Sequence, residues 1–391
     1  MRFLNVPAAV TLALALCAGT ANAVTVDVSG FGTAGFTITD TNKAEYVRGS
    51  MPTGADSNGD VGLDSIAGVQ ATVHLTDRIS GTTQVLLRRL HEDSFELDSP
   101  LAFIKADVTK AFAVRLGRLP LPAFLVSDFR QVGYANTWIR PPVEVYGQVP
   151  IDSVDGLDVL YSGEAGPVSI SGQGFYGRTD VDLGTSDVSV RNFKGLNISA
   201  TVGPLTLRAG RVEDKLTLES AQVTGLLAGL RQAGFAAYAD ELSVNDKKSS
   251  FTGFGALLDW HNVIVQAETT KSKLGGFIPD TSGRYVLAGY RIGKLTPYAM
   301  YAEREVDSAR SSTVVPAVGP LIPLAAGVNA LIAGTEQNSS SVGIRWEAAS
   351  SVAVKFQYDY VDPEGAGLFA NVKPGFDGPV NVFGIAIDVV F

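Results

Sequence analysis

The chain ends on NVFGIAIDVVF, in which Phe383, Ile385, Ile387, Val389 and Phe391 fall on one side and Gly384, Ala386 and Asp388 on the other. A two-residue period belongs to β-strands, whose successive side chains point to opposite faces. The same period recurs from Val24 onward. VAVKFQYDY sets Val352, Val354, Phe356, Tyr358 and Tyr360 against Lys355, Gln357 and Asp359; VGIRWE sets Val342, Ile344 and Trp346 against Arg345 and Glu347. VQATVHL does the same with Val69, Ala71, Val73 and Leu75 against Gln70, Thr72 and His74. A chain so patterned is all-β, and its apolar final strand contrasts with the frayed polar tail of most soluble domains.

The opposite end reads as a secretory signal. Residues 1–23, MRFLNVPAAVTLALALCAGTANA, carry an early Arg, an apolar run from Val6 to Ala18 and the small-x-small triplet Ala21-Asn22-Ala23. That stretch is too short and wrongly flanked for a membrane span, so the mature chain is expected to be residues 24–391, outside the cytoplasm. Cys17 raises a lipoprotein reading, against which Leu16 stands where a small residue is wanted. It is the chain's only cysteine, so no disulfide framework holds the mature part. With 40 acidic against 31 basic residues, a net charge of −9, the chain lacks the basic face that nucleic acid requires.

Connection lengths organise the strands. Short links at 76–79, 109–111, 202–204, 260–262, 292–294 and 348–351 are interleaved with longer ones at about 40–61, 92–96, 119–154, 179–188, 219–249, 274–282, 307–337 and 362–379, of which 92–96 is the brief exception. About sixteen strands result. Residues 219–249 offer a seventeenth, but Val223, Leu226, Leu227, Leu230 and Tyr238 keep helical spacing there, and single-chain bacterial barrels use even numbers. We therefore expect a transmembrane antiparallel β-barrel of about sixteen strands with long extracellular loops and short periplasmic turns, wide enough for an aqueous lumen. Closure also satisfies every backbone N–H and C=O in lipid. A secreted soluble β-protein would alternate equally well. The signal peptide, the interleaved loops and the aromatics Trp260, Tyr301, Trp346, Tyr360 and Phe391 near strand ends favour the membrane barrel.

At this point the chain resembles Gram-negative outer-membrane porins, whose last strand alternates and ends in Phe as this one does. Locally, FGTAGF, RLGRLPLPAFLVSD, IRPPVEVY and SVDGLDVLY resemble segments of a poorly characterised proteobacterial porin-like family. The resemblance implies an outer-membrane channel for passive diffusion of small hydrophilic solutes and ions, not an enzyme, set in outer-membrane lipid and assembled as a homo-oligomer, by class habit a trimer. It also implies that the long loop after the fifth strand, here 119–154, folds into the lumen and narrows it. Its charged residues are Asp128, Arg130, Arg140, Glu144, Asp152 and Asp155, each of which either faces the pore or pins the loop to the wall.

Strand parity supplies the wall. Arg88, Lys105 and Arg115 fall on polar faces of successive strands and are expected to form a basic patch beside that loop. The inward set is Arg88, Lys105, Arg115, Arg208, Arg291, Arg345 and Lys355 against Asp27, Asp107, Asp158, Asp259, Glu268, Glu347, Asp359 and Asp388. So even a balance predicts no strong ion selectivity, while a transverse field across the constriction favours polar over apolar solutes.

Other motifs carry less. GFGTAG matches a dinucleotide fingerprint at Gly30, Gly32 and Gly35, but FTITDTNKAEY continues the strand where a helix is required, so no cofactor is expected. DSNGD opens like a calcium loop, yet Val61 replaces the turn glycine and Ala67 the final Glu. His74, His91 and His261 are scattered without a cysteine partner, so no metal is expected. An outer-membrane hydrolase would need a serine beside one of them, and a receptor or adhesin would use the long loops without an open channel. The uncharged stretch 313–333 is broken by Pro316, Pro320 and Pro323 and reads as an extracellular loop with a short helix.

Overall fold

The computed structural model describes residues 24–391 except 50, 91, 92, 309 and 310. The signal peptide read in residues 1–23, and His91, lie outside the described residues. Among these, β1 (Thr25–Thr39), β2 (Ile66–Thr76), β3 (Ile79–Arg89), β4 (Phe95–Asp107) and β5 (Phe112–Pro120) lead to β6 (Ser153–Ala165), β7 (Val168–Asp182) and β8 (Asp187–Val202). Then come β9 (Leu205–Glu219), β10 (Lys247–Trp260), β11 (Val263–Lys273), β12 (Thr281–Tyr290), β13 (Leu295–Val306), β14 (Gln337–Ala349), β15 (Val352–Pro363) and β16 (Val380–Val390). Each pairs with its sequence neighbours, and β1 meets β16 antiparallel from Phe31↔Val390 to Thr39↔Val382, closing a sixteen-strand barrel.

One rim carries the start of β1, the end of β16 and links of no more than four residues, such as 77–78, 166–167 and 291–294. The other carries 40–65, 121–152, 220–246, 307–336 and 364–379, together with the brief 90–94, 183–186 and 274–280. The long loop expected at 179–188 is thus a four-residue turn, because β7 and β8 extend further than their apolar alternation shows.

Alternation sorts the two faces. On β16, Phe383, Ile385, Ile387 and Val389 are exposed outward while Ala386 and Asp388 are buried inward. On β15, Phe356 and Tyr360 lie outward while Lys355, Gln357 and Asp359 are buried. Trp260, Tyr301, Trp346 and Phe391 are also exposed.

Between β9 and β10 the chain forms two helices, as the spacing within 219–249 predicts: α2 (Ala221–Gln232) and α3 (Ala236–Leu242) follow α1 (Val143–Tyr146) in chain order. The 313–333 stretch holds α4 (Ile322–Ile332). Leu227, Leu230, Leu242, Val328 and Ile332 join α2, α3 and α4 in one buried cluster at the long-link rim. No described helix is long and apolar enough to cross a membrane.

The larger apolar core sits inside the barrel. Phe251 of β10, Ile264 of β11, Tyr285 and Leu287 of β12, and Tyr298 and Met300 of β13 all point inward and are buried against Phe124, Trp138 and Tyr146 of the 121–152 link. Burying large aromatics at about 25 cal/mol per Å2 is a strong reason for that link to enter the lumen.

Candidate functional site

The 121–152 link lies inside the barrel, touching inward side chains on strands nearly all the way round. Its apolar half stacks on β10–β13. Phe124 packs on Tyr146 with ring centroids 4.5 Å apart, and Trp138 meets Tyr285 edge-on at 5.6 Å. Leu125 N–H donates to Glu268 Oε1 at 2.8 Å, and the Tyr146 hydroxyl donates to Glu268 Oε2 at 2.9 Å.

Its polar half is fixed to β14–β16, β1 and the 40–65 link. Arg140 is the main tie. Its Nη2 donates to Asp64 Oδ2 and Thr37 Oγ1, both at 2.6 Å, its Nε to Asp64 Oδ1 at 3.1 Å, and its Nη1 to Asp359 Oδ2 at 2.8 Å. All three ionic groups are almost completely buried. Burial alone would raise the Asp64 carboxyl, but Arg140, helped by Arg48 and Thr37, holds it down at about 2. Lys355, fully buried, donates to the carbonyls of Gly133 and Trp138 at 2.7 and 2.8 Å and pairs with Asp388 at 2.8 Å. Arg345 Nη1 donates to the carbonyls of Tyr134 and Asn136, and Tyr134 donates to Glu347 at 3.1 Å. Gln337 donates to Glu144 at 2.8 Å, and burial raises that carboxyl above its ordinary range.

These contacts correct the expected pore lining. Arg345, Glu347, Lys355 and Asp359 do point inward, yet all four serve as anchors for the link, which covers Arg345, Lys355 and Asp359 and leaves Glu347 partly exposed. Arg208 is used likewise, paired with Asp128 at 3.2 Å. Lys105 and Arg115 are cross-strand partners as parity required, but Lys105 pairs with Asp107 at 2.8 Å and Arg115 with Asp158 at 2.5 Å, so the expected basic patch beside the loop is neutralised by its own wall. Arg291 sits in the 291–294 turn, bound to Asp259 at 2.6 Å. Asp155 belongs to β6 rather than to the loop and lies on the outward face with Arg118, 2.7 Å away.

Arg88 is the expected wall residue that borders the space beside the link. A cavity of about 220 Å3 lies between the inserted link and the wall of β1–β4. Arg48, Arg88, Arg89 and Arg130 border it, with Asp64, Asp98 and Asp152. Arg88 bridges Asp98 at 2.5 Å and Asp152 at 2.8 Å, and Arg130 pairs with Asp152 from the loop side. Burial, together with the charges of Arg88 and Arg48, lowers the Arg130 guanidinium to about 10. Arg48, Asp64 and Arg89 escape a parity reading because two lie in the 40–65 link and the third ends a strand displaced by the bulge between Gln84 and Leu86.

Gly35 keeps this corner in register. A Cβ there would come 2.7 Å from Asp64 Cβ. Gly35→Ala is therefore expected to cost about 1–3 kcal/mol of stability through overpacking, read as a lower unfolding midpoint in detergent; an unchanged midpoint contradicts it.

No family model matches the chain, and no curated protein matches it by sequence. Solved structures do match. OmpT, an outer membrane protein of Vibrio cholerae, superposes with TM-score 0.55 at 15% identity over 95% of this chain and 99% of its own. The outer membrane channel DcaP of Acinetobacter baumannii gives 0.56 at 11% identity over 96% and 100%. An anion-selective porin from Comamonas acidovorans gives 0.54 at 14% identity over 94% and 100%. The chain has the fold of an outer-membrane porin. At these identities the porin-like likeness is one of fold, and the residues of the site are this chain's own.

Proposed function

We propose that this chain is an outer-membrane channel through which small hydrophilic solutes and ions diffuse passively. The observation that carries the reading is the cavity between the 121–152 link and β1–β4, bordered by ionised side chains, inside a barrel whose outward face exposes Phe, Ile, Val and Trp. Apolar side chains on that scale are stable only against acyl chains or another protein. The inserted link sets the width of the passage and its charges set the field that a solute crosses. Solutes that replace ordered water hydrogen bond for hydrogen bond pass, whereas apolar ones of equal size do not. A homotrimer is the assembly we propose, and one solved form of in-vitro folded OmpT of Vibrio cholerae is a trimer form.

Recording from planar bilayers tests this. Refolded protein is expected to give stable ohmic steps, and liposomes containing it should swell in sugars and amino acids. Folded protein that inserts without conducting would remove the channel reading and leave a closed receptor or adhesin barrel.

A further inference from the structure

The strand register places cations side by side on the outer surface. Arg191 of β8 is the direct cross-strand partner of Lys215 of β9, and Lys215 is the direct partner of Lys248 of β10. Ser250 pairs with Lys273 of β11, which sets Lys273 diagonally beyond Lys248. All four point outward, because Val190, Leu216, Ser249 and Ser272 beside them are buried inward. Like charges directly opposite on a sheet sit about 5 Å apart at Cβ and destabilise the pairing. This row of four runs against the chain's net charge of −9.

Local acids answer it only in part. Arg191 pairs with Asp180 at 2.8 Å and Lys215 with Asp246. Among the described residues, Lys248 and Lys273 have no carboxylate within ion-pair distance. The row lies towards the long-link rim, at the start of β8 and β10 and the end of β9 and β11. Towards the other rim the same strands expose Leu196, Ile198, Leu207 and Phe254. Between the two, Lys194 and Arg211 both pair with Glu213, so the row of cations stands above an apolar surface across one band of internally paired charge, an order that matches an amphiphile with an anionic head and acyl tails.

Resting on the membrane-barrel reading, we propose that Arg191, Lys215, Lys248 and Lys273 bind the headgroup phosphate of a lipid in the leaflet at the long-link rim. Its chains lie along Leu196 and Phe254 while its phosphate oxygens accept hydrogen bonds from the lysine ammonium groups and the Arg191 guanidinium.

The test uses the full mature protein in neutral detergent. Native mass spectrometry should find phosphatidic acid retained about tenfold more tightly than phosphatidylcholine, and Lys215→Gln/Lys248→Gln should abolish most of that difference. The double variant is expected to fold, since both side chains are solvent-accessible; Lys248→Gln alone, with no internal partner to lose, serves if it does not. Equal retention of both lipids, or retention unchanged in the variants, overturns the proposal. Displacement of the lipid by inorganic phosphate at comparable concentration overturns the lipid assignment in favour of a free-anion site. Single-channel conductance, unaffected by these substitutions, reports separately on the channel reading, so the two fail distinguishably.

Discussion

Arg140→Met is expected to release the inserted link from the wall. The substitution keeps most of the side-chain volume and removes the one cation shared by Asp64, Asp359 and Thr37. Removing one partner of a buried pair leaves an uncompensated buried charge, at a cost of about 3–5 kcal/mol. Asp359 is left with the neutral Gln357 amide at 2.7 Å, and Asp64 with the more distant Arg48 at 3.3 Å and the Thr37 hydroxyl at 2.7 Å. The link relieves that cost by moving away or by local unfolding, so single-channel conductance should rise and the unfolding midpoint fall together. Arg140→Lys should recover only part of the effect, since an ammonium cannot span three acceptors as a planar guanidinium does. Replacing Arg140 by Met with Asp64 and Asp359 both changed to Asn should restore much of the stability, because apolar or neutral partners at a dry site cost less than a broken ion pair. Wild-type conductance and midpoint in Arg140→Met would show that the aromatic half of the link holds it unaided.

The same tie has a defined pH window. Asp64 is held at about 2, below the ordinary value near 4. Its contribution is complete above the unfolded value and is lost as pH falls through the folded one. The difference in conductance between wild type and Arg140→Met should accordingly stay constant between about pH 8 and 4 and change only in stronger acid.

How far the sequence reveals this site follows from what alternation encodes. Period two assigns a side chain to a face, and the closed barrel, the final strand and the outward Phe383, Ile385 and Ile387 were legible on that basis. It does not say whether an inward face is wet. Lys355 and Asp359 read as pore lining because nothing local in VAVKFQYDY marks the loop that covers them, which lies more than 200 residues away in sequence. A signal for that loop did exist. RYVLAGY and LTPYAMYA, on β12 and β13, are apolar on both faces, the pattern of strands buried on two sides, and the 121–152 link carries Phe124, Trp138 and Tyr146 to match. Asp155 was misplaced for a simpler reason: strand ends are set by pairing with β5, from Pro120↔Ser153 onward, and the polar start of SVDGLDVLY reads equally well as loop.

Arg88→Gln with Arg130→Gln should turn a weak anion preference into a cation preference. Four guanidinium groups and three carboxylates border the cavity, so on the channel reading proposed above wild type is expected to favour anions slightly, a balance drawn from residues largely different from those that parity nominated. Losing two cations reverses the excess and also frees Asp98 and Asp152, both partly exposed and both held by Arg88 in the parent. A unit charge about 4 Å from a permeating ion is worth on the order of 1 kcal/mol in water, about fivefold for each ion and of opposite sign for the two, so the ratio of anion to cation permeability shifts about thirtyfold per charge. The reversal potential under a salt gradient reads that ratio directly. The shift should be largest at low ionic strength, where charges are least screened. A reversal potential that is the same in wild type and the double variant would mean that ions cross the barrel elsewhere than between the link and β1–β4.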